Sequence, residues 1–74
     1  MTKLPALKPK EVIAILEKAG YYTDHITGSH YIMRHPDHPQ RIPVPYHVKD
    51  VKKGVLHSII KQSRMSQEEF LSLR

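Results

Sequence analysis

The spacing of apolar residues along the chain predicts a first helix between Pro9 and Ala19. Apolar side chains recur there at positions i, i+1, i+4 and i+7, which places them on one face of a helix. Pro9 suits a first helical turn, because the N–H that proline lacks would have no intrahelical acceptor there. Gly20 follows at the position where a residue with left-handed backbone geometry commonly ends a helix.

Aromatic and β-branched residues follow this helix and predict three short strands. The first strand is "YYTDHI", and a break at Thr27-Gly28 separates it from the second, "SHYIMRH". Gly28 can adopt a positive φ in that break. The prolines and the aspartate of Pro36–Gln40 predict a loop, and "RIPVP" predicts a third strand at an edge of the sheet.

Two further helices are predicted after a polar connection that runs from Tyr46 to Lys53. The apolar stripe of the first of these helices ends near Gln62. Its members are Val55, Leu56, Ile59 and Ile60. Ser66 and Glu69 match a capping box, so a short terminal helix should follow them.

The order of these elements predicts an α+β fold of two layers, αβββα-like, with a short extra helix at the C-terminal end. A three-stranded antiparallel sheet needs a cover on one face, and the amphipathic helices supply that cover. The other face of the sheet stays open to solvent or to a partner. We expect one domain over residues 1–74, with residues 1–8 as a loose lead-in.

The charge of the chain is positive and unevenly distributed. Lysine and arginine number 12 against 7 acidic residues, so the formal net charge is +5. The whole excess lies between His30 and Arg64, where only Asp37 and Asp50 are acidic. The basic residues of this segment are Arg34, Arg41, Lys49, Lys52, Lys53, Lys61 and Arg64. A one-sided basic surface favours a polyanion, nucleic acid first, although many such surfaces are merely solvated.

Several classes of protein are excluded by what the sequence lacks. It contains no cysteine, which rules out disulfides, thiol catalysis and thiolate zinc sites. The longest apolar run, Val12–Leu16, is too short to cross a bilayer, and the N-terminal residues do not resemble a signal peptide. We therefore expect a cytoplasmic protein without a membrane segment.

His30 is the leading candidate for chemistry, because it follows the break at Gly28-Ser29 and opens the second strand. An imidazole with its ordinary pKa near about 6.5 both accepts and donates protons at neutral pH. Metal-free RNA cleavage needs such a group, together with cations that hold the phosphate. A half-exposed strand histidine without any role is the alternative. Neighbouring strand residues point to opposite faces, so we expect no Ser29–His30 pair of nucleophile and base.

The other histidines are weaker candidates. His47 follows the third strand and is a second-tier catalytic candidate. A metal site built from His30, His35, His38 and Asp37 would need irregular spacing across a proline loop, so we expect no metal.

Several motifs, in their order and spacing, resemble the HicA (YcfA-like) toxins, small mRNA interferases of bacterial and archaeal toxin–antitoxin pairs. The resemblance runs from about Lys10 to Leu73, nearly the whole chain. The motifs that carry it are "EVIAILEKAGY", "GSH", "RHPDHP", "IPVPYH" and "GVLHSIIKQSRMSQEEFLSL". Two positions depart from the family pattern: Thr27, where many members have lysine, and Val55, where threonine is usual.

The resemblance implies a double-stranded-RNA-binding-domain-like fold and an endoribonuclease with the histidine of "GSH", His30, as its catalytic residue. It also implies an mRNA substrate, a HicB-type antitoxin that covers the site, and no cofactor. We expect several residues near His30 and the second helix to hold the RNA backbone. They are Gly28, Ser29, Lys49, Lys52 and Lys53, with Arg34 and Arg41 as weaker candidates.

Two other functions fit the same charge and order of elements. One is a non-catalytic RNA-binding module of this fold, which would bind RNA without cleaving it. The other is an interaction protein whose basic face docks onto an acidic partner.

Overall fold

A computed structural model of the protein describes residues 4–74, and residues 1–3 lie outside the described part. The elements follow the order helix, three strands, helix, helix, which confirms the α+β order predicted from the sequence. They are α1 (Pro9–Lys18), β1 (Tyr22–Ile26), β2 (His30–His35), β3 (His38–Pro45), α2 (Lys53–Gln62) and α3 (Gln67–Ser72). Within residues 4–74 no helix has the length and apolar character needed to span a bilayer.

The helix α1 ends in a Schellman motif at Gly20. The Gly20 N–H donates to the carbonyl of Glu17 at 3.0 Å, and the Tyr21 N–H donates to the carbonyl of Leu16 at 2.9 Å. Gly20 has a φ of 97°, and a Cβ at this position would lie 2.8 Å from Nε2 of His35. The predicted left-handed glycine is thus confirmed, and it turns the chain directly into β1.

The three strands form one antiparallel sheet in the order β1-β2-β3. Tyr31 pairs with Val44 and Met33 pairs with Ile42 between β2 and β3. Met33, Ile42 and Val44 are fully buried in one cluster with apolar residues of all three helices. The helices therefore cover this face, and the alternating residues, His30 among them, lie on the opposite face.

A tight turn joins β2 to β3, because His35 pairs with His38 across the ladder. The predicted loop over Pro36–Gln40 is therefore wrong in its length, and β3 begins three residues before Arg41. Prolines indicated a loop, yet β3 is an edge strand on which a missing N–H is tolerated. The predicted edge position of Pro43 is confirmed by the same strand order.

The segment before α1 contributes to the core. Leu4 and Leu7 are buried, although neither belongs to a helix or a strand. The Val51 N–H donates to the carbonyl of Leu7 at 2.8 Å, which ties the segment to the connection before α2. The expected loose lead-in is therefore wrong for residues 4–7, while residues 1–3 lie outside the described part. A domain this small has few apolar residues, so leucines outside regular elements complete its core.

The two C-terminal helices begin in different ways. Lys52 is the N-cap of α2 and makes no side-chain capping bond. At the start of α3 the Ser66 hydroxyl accepts from the Glu69 N–H, and the Glu69 carboxylate accepts from the Ser66 N–H, both at 3.1 Å. The predicted capping box is thus confirmed. Phe70 is fully buried and anchors α3 to the core.

Candidate functional site

His30 is the first residue of β2 and lies on the open face of the sheet. It pairs with Pro45 of β3 and is half-buried. Residues two apart on a strand share a face, so His30 lies on the same face as Ile32 and Arg34, opposite the buried Met33. The strand therefore fixes the backbone of His30 while the imidazole stays accessible from solvent.

A groove of about 330 Å³ lies beside His30, between the edge strand β3 and α2. Its other lining residues are Pro43, Pro45, Gly54, Val55, Ser58, Ile59 and Gln62. None of these is a site residue predicted from the sequence. The sequence does contain one signal for this face of α2. Four of the lining residues have the helical spacing i, i+3, i+4 and i+7, namely Val55, Ser58, Ile59 and Gln62.

The Ser29 hydroxyl forms a hydrogen bond with His30. Its Oγ lies 2.9 Å from Nδ1 of the imidazole. The expectation that these neighbours cannot pair is therefore wrong, because Ser29 belongs to the bend before β2 and does not follow the alternation of strand residues. The bond leaves Nε2 of His30 as the ring nitrogen available for proton transfer.

The bend that contains Gly28 and Ser29 is tied to the end of β3. The Tyr46 N–H donates to the carbonyl of Ser29 at 2.8 Å. Nε2 of His47 lies 3.0 Å from the carbonyl oxygen of Gly28, and since a carbonyl only accepts, Nε2 is the donor. The structure thus places His47 behind the bend, where it holds the backbone that carries Ser29 and His30.

Gly28 can adopt a positive φ but does not do so, and among the described glycines a positive φ is found only at Gly20. A Cβ built at Gly28 meets no atom within 4 Å. The residue is also exposed. Neither backbone strain nor packing within the chain requires glycine at this position, and the open space beside it leaves the backbone accessible to a ligand.

Two of the predicted RNA-binding lysines directly precede a groove residue in the sequence but do not themselves line the groove. Lys52 and Lys53 are exposed at the start of α2, directly before the groove residue Gly54. The first turn of α2 has no acidic residue and no side-chain cap. First-turn N–H groups have no intrahelical acceptor and carry a partial positive charge, so this end of the groove is electropositive.

The two arginines lie on the open face, farther from His30. Arg34 is four residues along β2, a distance of about 13 Å in an extended strand. The pKa of the Asp24 carboxyl is lowered, first by its hydrogen bond with His25 and also by the charges of Arg34 and Arg41. The negative charge of Asp24 therefore partly offsets the positive charges of both arginines, which weakens their attraction for an anion.

Lys49 lines a different cavity, of about 440 Å³, and His30 is not among its lining residues. The other residues of that cavity are Lys8, Pro9, Lys10, Glu11, Tyr46 and Val48. The sequence analysis grouped Lys49 with Lys52 and Lys53, and in the structure it lines this second cavity.

His35 and His38 lie at the opposite end of β2 and β3 from His30. Their rings stack with centroids 4.4 Å apart, and Tyr21 packs edge-on against His35 at 5.0 Å. The Asp37 N–H donates to Nδ1 of His35 at 3.0 Å. In the described part of the chain no three His, Cys, Asp or Glu side chains gather as a metal-holding group.

An open antiparallel sheet, a histidine at the start of its central strand and a helix start beside it define a class of small α+β domains with a site between sheet and helix. A family profile described as HicA toxin of bacterial toxin–antitoxin matches residues 9–65 of the 74. The chain belongs to the HicA toxin family, which confirms the resemblance seen in its motifs. Membership supports a toxin role and implies an antitoxin partner. A comparison with curated proteins found no match.

Proposed function

We propose that the chain is an endoribonuclease toxin that cleaves mRNA with His30 as general acid and base, and so inhibits translation and growth. The observation that carries this proposal is one groove that contains both His30 and the start of α2. Phosphodiester cleavage requires a proton-transfer group next to a positive field that stabilises the transition state. Because mRNA is translated in the cytoplasm, the toxin would act there.

The phosphate would bind at the helix end of the groove. Lys52 and Lys53 supply two cations there, and the uncapped first turn of α2 supplies backbone N–H groups. Gly28 and Ser29 lie in the exposed bend next to His30, where the backbone is accessible to the sugar–phosphate chain. Arg34 and Arg41 would contact more distant phosphates, and Lys49 would act only through the charge of its own cavity.

The proposed reaction is an intramolecular transfer at phosphorus. Nε2 of His30 removes the proton of the 2′-hydroxyl, whose oxygen attacks the adjacent phosphorus while the bond to the 5′-oxygen breaks. The departing 5′-oxygen takes up one proton, so the products are a 2′,3′-cyclic phosphate and a 5′-hydroxyl. One imidazole suffices when it delivers the proton that it removed, and no metal ion enters this scheme.

Ser29 supports both states of this imidazole. Nδ1–H donates to the hydroxyl while Nε2 has the lone pair, and it still donates after Nε2 has taken the proton, because both ring nitrogens of the imidazolium are donors. The 2.9 Å contact is compatible with either direction, because a hydroxyl is both donor and acceptor. Ser29 is therefore a positioning residue in this proposal.

The proposed antitoxin is a HicB-type protein that covers the groove. The net charge of +5 favours a partner with an acidic surface, since opposite charges speed association. A partner that covers His30 and the start of α2 would keep RNA away from both the imidazole and the phosphate-binding end of the groove.

The decisive experiment compares wild type with His30→Ala, and with His57→Ala as the control. His57 is exposed on α2 and is not part of the groove. His30→Ala should keep its circular dichroism spectrum, lose growth inhibition and cleave RNA about 100- to 10,000-fold more slowly. Wild type should release cyclic phosphate ends in the presence of EDTA, and undiminished cleavage by folded His30→Ala would refute the proposal.

The two rival functions give different results in the same assays. A non-catalytic RNA-binding module binds RNA with and without His30 and cleaves none. A protein that only docks on an acidic partner binds the antitoxin but shows no salt-dependent affinity for RNA. Lysine-to-glutamine changes at 52 and 53 should reduce the slope of log affinity against log salt by roughly 1.4, with Lys18→Gln as the control.

A further inference from the structure

The groove extends beyond the part that the cleavage chemistry uses. From Gly54, at the helix start, to Gln62 the rise along α2 is about 12 Å. The phosphate and the imidazole occupy only the end near Gly54 in the proposed reaction. The remaining length has walls of two kinds, one apolar and one polar.

The apolar wall faces the groove from both the sheet and α2. Pro43 and Pro45 are two residues apart on β3, so their rings share one face of the strand. Val55 of α2 is 37% exposed, although it is a large apolar side chain at the groove. Proline rings and a valine offer no hydrogen-bonding groups, so a flat apolar face that covers them gains from their burial.

The polar wall consists of one oriented amide. Nε2 of Gln62 donates to Oγ of Ser58 at 3.0 Å. This bond uses one of the two N–H donors, which leaves the other N–H and Oε1 for a ligand. A donor and an acceptor side by side complement the edge of a nucleobase, as paired contacts from glutamine to a base do in nucleic-acid complexes.

We infer that this part of the groove binds one unpaired nucleobase of the RNA, adjacent to the cleaved bond, and that Gln62 recognises its edge. The inference rests on the proposed function, because the RNA is the substrate that brings the base there. At about 330 Å³ the whole groove is small among ligand pockets, roughly 300–1,000 Å³, and holds a single base rather than a duplex. Single-stranded bases are the usual targets of sequence-specific RNA binding.

The test uses short single-stranded RNAs that differ only in one of the two nucleotides flanking the cleaved bond. Cleavage of each RNA is measured as kcat/KM for wild type, Gln62→Ala and Gln62→Met, which keeps the size of the side chain without its amide. Gln40→Ala is the control, since Gln40 is exposed on β3 and does not line the groove. Wild type should prefer one base by roughly 5- to 150-fold, and both Gln62 variants should lose most of that preference.

Four results would overturn the inference. The base preference could survive both Gln62 variants, or the control could lose it equally. The Gln62 variants could also slow cleavage of all the RNAs by the same factor, which would mean that Gln62 contacts the RNA backbone or stabilises the fold. A change confined to antitoxin affinity would show that the groove receives a protein side chain instead.

A binding measurement separates this inference from the proposed cleavage. The same RNAs with a 2′-O-methyl group at the cleaved nucleotide cannot form the cyclic product, so their affinities report binding alone. If wild type cleaves no RNA, the proposed function fails, while the base site still requires affinity that depends on the base and falls for an abasic RNA. If the affinity does not depend on the base, the inference is refuted even when the enzyme is active.

Discussion

Oγ of Ser29 lies 2.9 Å from Nδ1 of His30, and this contact fixes which ring nitrogen of the histidine is left for chemistry. It joins two neighbours in sequence, one in the exposed bend and one at the start of β2. The bend itself is held by bonds from the end of β3 to the carbonyls of Gly28 and Ser29. The imidazole is thus positioned by the bend before β2 and by two residues that follow β3, far away in the sequence.

Ser29→Ala should lower kcat for RNA cleavage by roughly 2- to 12-fold and leave KM nearly unchanged, since the lost hydrogen bond is worth about 0.5–1.5 kcal/mol. The pH profile of kcat should shift, because the hydroxyl contacts the imidazole that transfers protons. Ser72→Ala is the control, as Ser72 is exposed and bonds only within α3. An unchanged pH profile together with an unchanged kcat would remove Ser29 from the site.

His47→Gln should keep most of the activity, whereas His47→Ala should lose it by about 2- to 12-fold, as for one neutral hydrogen bond. The glutamine amide can replace Nε2 of His47 as donor to the Gly28 carbonyl, but it cannot transfer protons. RNA cleavage by the two variants is the measurement, with His57→Gln as the control. Equal and large losses in both variants would instead make His47 a proton-transfer group.

Leu7→Ala should reduce the free energy of unfolding by about 2–5 kcal/mol, as expected for a fully buried leucine. Urea denaturation measures this change, and Val48→Ala is the control because Val48 is 42% exposed. A loss below about 1 kcal/mol would mean that the segment before α1 is not part of the core in solution.

The free energy of unfolding should decrease as the pH rises above about 10, in part through Tyr21. Burial raises the pKa of its phenol, although the charge of Arg64 opposes that shift. A raised pKa in the folded state leaves stability intact below the unfolded value and removes it as the pH rises toward the folded value. Urea titrations from pH 9 to 11 should show a smaller decrease for Tyr21→Phe.

Tyr22→Phe is the control for this pH dependence, because Tyr22 is 46% exposed on β1. Burial raises the pKa of Tyr31 as well, so part of the decrease should persist in Tyr21→Phe. The prediction fails if both variants lose stability with pH as steeply as wild type does.

Local signals in the sequence determined the elements of the fold. The helix stripes, the left-handed Gly20 and the capping box of Ser66 and Glu69 depend on residues within a few positions of one another. Such patterns act through the backbone of one segment, so they are visible without tertiary structure. The same is true of the position of His30, directly after a bend and at the start of a strand.

Tertiary structure decided the features that depend on distant segments. The pairing of His35 with His38 makes the loop between β2 and β3 shorter than predicted. The hydrogen bond from the Val51 N–H to the Leu7 carbonyl holds the segment before α1 against the core. The groove likewise joins His30 of β2 to prolines of β3 and to the Ser58–Gln62 pair of α2. No local pattern specifies that the face of α2 with Val55, Ser58 and Gln62 lines the groove, because this follows from burying the adjacent face of α2 in the shared core.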